Sequence, residues 1–206
     1  MSVAARFGTL LVALLSALSS LGRPALADDV RLALAHPITL TAPDGKRVSS
    51  SDFPGQLLLV YFGYTHCSDQ CPTSVSTMVE ALDEMGPAAR HVQPIFITVD
   101  PERDTGPILK EYTASFDKRL LGLTGSPDEI KAAAAAVGVQ YEKVELNGTG
   151  DYSIDHSWTM SVIDETGRNA RTFDFSAPHM LAKTLFDMLA KAGIDLEDVP
   201  NIAAFR

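Results

Sequence analysis

Residues Tyr61 to Ser74 read YFGYTHCSDQCPTS and hold both cysteines of the chain, Cys67 and Cys71, with three residues between them. The apolar run Leu57 to Phe62 leads into this stretch, and a helix predicted to start near Pro72 leads out of it. The two thiols therefore fall where a strand hands over to a helix. A helix N-terminus favours anions through its dipole and unsatisfied N–H groups, so the position predicts lowered thiol pKa values. Thiolate is the form that attacks disulfides and the form that binds metal. A structural disulfide across so short a loop would add little stability, and a domain of this size does not need one.

The surrounding pattern alternates between strands and helices. Val75, Met78, Val79, Leu82 and Met85 recur at helical spacing up to Gly86-Pro87. Gln93 to Val99 reads as a second buried strand, with Pro94 tolerated near its start. After Asp100-Pro101-Glu102-Arg103-Asp104, the residues Ile108, Leu109, Tyr112 and Phe116 predict another helix. Leu120 to Thr124 reads as a short strand, and Ser126 with Glu129 forms a capping box for a helix running to Val137. Tyr141 to Leu146, the turn Asn147 to Gly150, and strands at Trp158 to Ile163 and Arg171 to Phe175 follow. A last helix spans about Ala177 to Ala192, with Met180, Leu181, Leu185, Met188 and Leu189 inward. Ile38 to Thr41 is read as a strand in the lead-in. This order, with central strands apolar on both faces, describes an α/β protein with a mixed central sheet flanked by helices and an inserted hairpin. The thioredoxin-like fold is the natural candidate.

The chain has 206 residues, 46% hydrophobic and 21% charged, which fits one well-packed domain. Its first residues differ in character. Arg6, the apolar run Phe7 to Leu21, and Ala25-Leu26-Ala27 ahead of Asp28-Asp29 follow the layout of a secretory signal peptide. Residues 1–27 are read as that signal, and 28–206 as the domain. An uncleaved membrane anchor facing the periplasm is the alternative, although the apolar run is short of the ~20 residues that span a bilayer. The formal net charge of −9 becomes more negative without Arg6 and Arg23, which disfavours nucleic acid and anionic membranes as partners.

Cys67 and Cys71, at i and i+4, direct their sulfurs to one side if both lie near the first helical turn. They then suit either disulfide exchange, with Cys67 as nucleophile and Cys71 as resolving thiol, or a metal. Five histidines are candidates for a third ligand. His36 and His91 sit in polar connections and are read as solvated, and His179 lies in the first turn of the last helix on an exposed face. His66 adjoins Cys67, and adjacent residues seldom point at one ion. His156 remains, in Asp155-His156-Ser157, read as the loop before the strand Trp158 to Ile163. In a thioredoxin-like fold that loop faces the cysteine helix. Disulfide oxidoreductases of that fold carry a cis-proline there, but no proline occurs between Pro127 and Pro178. Two thiolates and an imidazole suit copper, as three-coordinate Cu(I) or as Cu(II) with an added oxygen donor. Asp155 is a candidate acceptor fixing the ring tautomer.

With those residues in place, the chain resembles the Sco/SenC-type copper proteins, the group associated with assembly of cytochrome c oxidase. The matching segments are YFGYTHCSDQCP (61–72), FITVDPERDT (96–105), LTG (123–125) and IDHS (154–157). The resemblance implies a thioredoxin-like fold with one copper on Cys67, Cys71 and His156. It also implies delivery of that copper to the binuclear copper A site of oxidase subunit II, or reduction of that site's cysteines. Another periplasmic copper chaperone would be a second partner. Copper buffering or sensing is a further reading. Ser68 and Gln70 depart from the proline and small aliphatic residue common between the family's cysteines. Asp69 keeps the family pattern and is read as either a carboxylate for Cu(II) or a cap on the helix. The Asp100 to Asp104 turn is read as a self-bridged turn near the site, either a docking surface or simply a helix entry. Trp158 and Tyr64 are read as core or pocket wall.

Overall fold

The computed structural model describes residues 30–196 apart from 69, 147, 149, 175 and 176. The signal-peptide reading of residues 1–27 and the reading of Asp69 both lie outside the described residues. Ten strands and four α-helices follow in the order β1 (Val30–Ala33), β2 (Thr39–Thr41), β3 (Arg47–Ser49), β4 (Leu57–Gly63), α1 (Gln70–Met85), β5 (Val92–Thr98) and α2 (Gly106–Phe116). Then come β6 (Leu121–Leu123), α3 (Pro127–Ala136), β7 (Tyr141–Leu146), β8 (Asp151–His156), β9 (Met160–Ile163), β10 (Asn169–Phe173) and α4 (Pro178–Lys191).

Six strands form the central sheet in the order β1-β10-β9-β4-β5-β6. Strands β4, β5 and β6 run parallel, whereas β9 is antiparallel to both β4 and β10, so the sheet is mixed as the thioredoxin-like reading requires. All seven residues of β4 are buried, the signature of a strand covered on both faces. On one face Leu58, Val60, Ile95 and Ile97 meet Ile38, Val48 and Phe53 of the lead-in. On the other, Tyr61, Gly63 and Phe96 approach Cys71, the second residue of α1. Helices α1 and α4 pack on each other. The capping box is present: Glu129 N–H donates to Ser126 Oγ at 3.3 Å and Ser126 N–H to Glu129 Oε2 at 2.8 Å.

The structure departs from the sequence reading where the pattern is short or polar. Strands β1 and β3 were not expected; β1 pairs along one sheet edge with β10, and β3 forms a three-residue ladder with β2. Strand β8 (DYSIDH) buries only Ile154, so no run of apolar residues announces it. It pairs with β7 from Tyr141↔His156 to Leu146↔Asp151 as a two-stranded sheet of its own, a hairpin additional to the expected one, which is β9–β10. His156 is accordingly the last residue of a strand and not a loop residue. Trp158 lies ahead of β9 and is 61% exposed, so it belongs to neither core nor buried wall. Met180, expected inward on α4, is 52% exposed, because the buried stripe runs through Leu181, Leu185, Met188 and Leu189 instead.

Candidate metal centre

Strand β4 ends at Gly63, and the chain turns through Tyr64 to Ser68 before α1 begins at Gln70. Gly63 is needed for close approach. A Cβ there would stand 3.0 Å from ring carbons of Tyr61 and Phe96 and 3.1 Å from Cys71 Sγ. Cys67 lies before the helix rather than in it, and its Sγ accepts a hydrogen bond from Cys71 N–H at 3.3 Å. That sulfur thus satisfies one of the amide donors that a helix start leaves open. Both cysteines are free thiols; Cys67 is half-buried and Cys71 is fully buried.

His156 arrives from the hairpin with its Nε2 3.3 Å from Cys71 Sγ. The three donor atoms all lie within 4.8 Å of one another, close enough for one ion to reach them together. The edges of His156 and of Tyr61 and Tyr64 meet nearly at right angles, with ring centroids 6.0 Å apart in each case. Tyr64 is therefore pocket wall, as expected from the sequence. On the outer side His156 lines an open cleft of about 840 Å³ with Lys131, Glu142, Asp155 and Ser157.

The acceptor at the ring's other nitrogen is not Asp155. His156 Nδ1 lies 2.9 Å from the carbonyl of Ser157, and Asp155 is exposed. Strand alternation accounts for this, since residue 155 points away from the face that carries Tyr152, Ile154 and His156. A donor at Nδ1 leaves Nε2 with its lone pair toward the sulfurs, the tautomer a metal ligand needs. Burial lowers the imidazole pKa and so favours the neutral ring, against the smaller raising effects of the Ser157 carbonyl and of Asp155. The other histidines stay apart from this group. His66 is 52% exposed, with Nδ1 3.2 Å from Thr65 Oγ1; His36 and His179 are exposed, and His91 is half-buried at the end of the 3-10 turn Gly86–His91.

One electrostatic expectation is reversed. Burial, and after it the neighbouring Cys67, pushes the Cys71 thiol up to about 12, outweighing the hydrogen bonds from the Tyr64 backbone and the Tyr61 side chain that would lower it. The phenols of Tyr61 and Tyr112 are raised too, chiefly by burial and then by the charge that Cys71 would carry. A buried thiol beside a neutral imidazole is poised for an incoming cation, because a metal ion supplies the charge that makes thiolate acceptable there. The donor set fits a soft ion, two sulfurs and one nitrogen, and among the described residues no fourth ligand completes a tetrahedral zinc site.

The SCO1/SenC family profile matches residues 28–190. The chain belongs to the SCO1/SenC family. Over 131 residues, 63% of the chain, it is 42% identical to protein SCO1 homolog 1, mitochondrial, of Arabidopsis thaliana, and covers 39% of that protein. It is 36% identical over 153 residues to the human mitochondrial SCO1 homolog, covering 70% of this chain and 51% of the human protein. The chain thus spans about half or less of the length of these two SCO1/SenC relatives. Bradyrhizobium japonicum ScoI, solved with copper bound, superposes with a TM-score of 0.68 at 40% identity, over 76% of this chain and 99% of that one. Likeness to that structure bears out the thioredoxin-like reading of the SCO1/SenC chain. Among the described residues no helix is long and apolar enough to cross a membrane.

Proposed function

We propose that this protein is a copper metallochaperone of the periplasm that holds one copper ion on Cys67, Cys71 and His156. It passes the ion to the binuclear copper A site of cytochrome c oxidase subunit II. The observation that carries the proposal is the convergence of the three donor atoms within 4.8 Å from the β4–α1 junction and from the separate β7–β8 hairpin. A copper-bound relative of 40% identity supports copper as the cargo. Residues 1–27 act as the export signal in this reading. Transfer proceeds by exchange of one ligand at a time, and the open cleft beside His156 lets an acceptor reach the ion's nitrogen side.

The test is to mix copper-loaded protein with the metal-free soluble domain of oxidase subunit II and follow the absorption of the filled binuclear site. Transfer that is complete with wild type and lost with His156→Ala supports the proposal. Copper that stays on the protein would point to buffering or sensing instead.

A second reading is favoured by the two free thiols, of which Cys67 is the more exposed. Here Cys67 thiolate attacks a disulfide of the oxidase domain, and Cys71 then displaces the client thiol from the mixed disulfide. The Cys67–Cys71 pair is oxidised to a disulfide as the client gains two electrons and two protons. Under it His156→Ala keeps reductase activity and Cys67→Ser abolishes it.

A further inference from the structure

The hairpin β7–β8 carries His156 yet among the described residues forms a two-stranded sheet of its own, apart from the central one, and Glu142 to Leu146 of β7 are all exposed. Something else must fix its distance from the cysteines. Beside the burial of Ile154 and the packing of His156 on Tyr61 and Tyr64, a set of polar contacts ties it to the turn between β5 and α2. Tyr152 Oη donates to Asp100 Oδ1 at 2.8 Å. Arg103 Nη1 donates to the Tyr152 carbonyl at 3.1 Å while its Nε donates to Asp100, and its guanidinium lies 3.7 Å from the Tyr152 ring centroid. Lys143 Nζ pairs with Glu102 at 3.3 Å and lies 3.6 Å from the same ring centroid.

The turn also grips the other half of the ligand set. Asp104, fully buried, accepts from Thr65 N–H at 3.0 Å, Thr65 Oγ1 at 2.6 Å and Thr98 Oγ1 at 2.6 Å. Thr65 is two residues before Cys67. Asp100, 3% exposed, is fixed in turn by its own N–H donating to Thr98 Oγ1 at 2.9 Å. One short turn therefore holds the cysteine loop through Asp104 and the hairpin through Asp100 and Arg103. The turn is self-bridged through Arg103 and Asp100, as read from the sequence, and the carboxylates of Asp100 and Asp104 face inward.

We infer that Asp100, Arg103 and Tyr152 form a clamp that positions His156 against Cys67 and Cys71. Tyr152 and His156 are four residues apart on β8, so they share a face, and seating the first sets the second. Arg103 suits the role because its rigid planar fork binds a carboxylate and a carbonyl at once while stacking on a ring. The inference rests on the metal site proposed above.

The experiment measures Cu(I) affinity by competition with a chromophoric chelator, and imidazole nitrogen hyperfine coupling in the Cu(II) form. Arg103→Ala is expected to weaken copper binding about 10- to 100-fold, the range for residues that orient a ligand, and to lose the nitrogen coupling. In a His156→Ala background the same change is expected to add nothing, which a general loss of structure would not reproduce. Arg103→Lys should recover only part of the affinity. If Arg103→Ala does not fold, Tyr152→Phe carries the test, since it removes only the hydroxyl that reaches Asp100. Wild-type affinity and nitrogen coupling in both variants, with His156→Ala impaired, would overturn the clamp and leave the metal site standing. So would an equal loss in both backgrounds. An unimpaired His156→Ala would instead overturn the metal site itself.

Discussion

Cys71 Sγ and His156 Nε2 lie 3.3 Å apart although 85 positions of chain separate them. Neither is charged in the metal-free protein near neutral pH, and both shifts have burial as their first cause. The thiol is held at about 12 against an ordinary 9.0, and the imidazole is held below its ordinary 6.5. A raised thiol contributes stability that is present below its unfolded value and lost as pH rises toward its folded one. A lowered imidazole contributes stability that is present above 6.5 and lost as pH falls through its folded value. The reduced metal-free protein should therefore show a stability plateau between these ordinary values, measured as urea midpoints at stepped pH. Cys71→Ala should flatten the alkaline limb even if it lowers the plateau. Matching alkaline slopes in variant and wild type would contradict the assignment.

Gly63→Ala should disturb both fold and site. Its Cβ would meet Tyr61, Phe96 and Cys71 Sγ in a strand buried along its whole length, where nothing can yield without moving the sulfur. Overpacking of this kind costs about 1–3 kcal/mol. We expect a lower thermal midpoint and an altered sulfur-to-copper charge-transfer band. A band unchanged in position and intensity would show that the sulfur has room to spare.

Asp104→Ala removes the acceptor shared by Thr65 and Thr98. Each buried donor left unsatisfied costs about 1–3 kcal/mol. For a domain of this length, about 2 kcal/mol lowers the thermal midpoint by roughly 4–8 °C. Loss of order should concentrate in the cysteine loop, read as faster amide exchange at Thr65. A variant as stable as wild type would mean that water replaces the carboxylate.

Trp158 is the chain's one tryptophan, exposed and two residues beyond His156. Its emission should report copper loading through quenching by Cu(II). The quench should shrink in His156→Ala, which no longer holds the ion on the hairpin side. An equal quench in both proteins would place copper elsewhere.

Much of the architecture was legible because its signals are local. Leu57 to Phe62 is a continuous apolar run, and Ser126 with Glu129 announces a helix start that the hydrogen bonds bear out. The pairing of Cys67 and Cys71 with His156 could be read from the place of His156 in the expected fold and the missing proline there, and the fold brings those three together. Three features were not legible, each for a tertiary reason. Strand β8 buries one apolar residue, Ile154, and is otherwise held by polar contacts of Tyr152 with Asp100 and Arg103. The Cys71 thiol is governed by its depth in the core, which outweighs the helix start. The acceptor for His156 is a backbone carbonyl at Ser157, and no side chain marks it. The roles of Asp100 and Arg103 could have been suspected from the density of charge in DPERD, but not assigned without seeing what faces the turn.

The ligands of the site belong to parts of the fold with unequal persistence. Cys71 is rooted in the helix that packs on the central sheet, whereas His156 rides on a separate two-stranded ribbon, most of whose described polar contacts end in one turn. Opening of that ribbon would detach nitrogen first and leave copper on two sulfurs, an arrangement that only the cuprous ion tolerates. An ion already in the cuprous state would keep its hold on the sulfurs through such an opening, whereas a cupric ion would lose it.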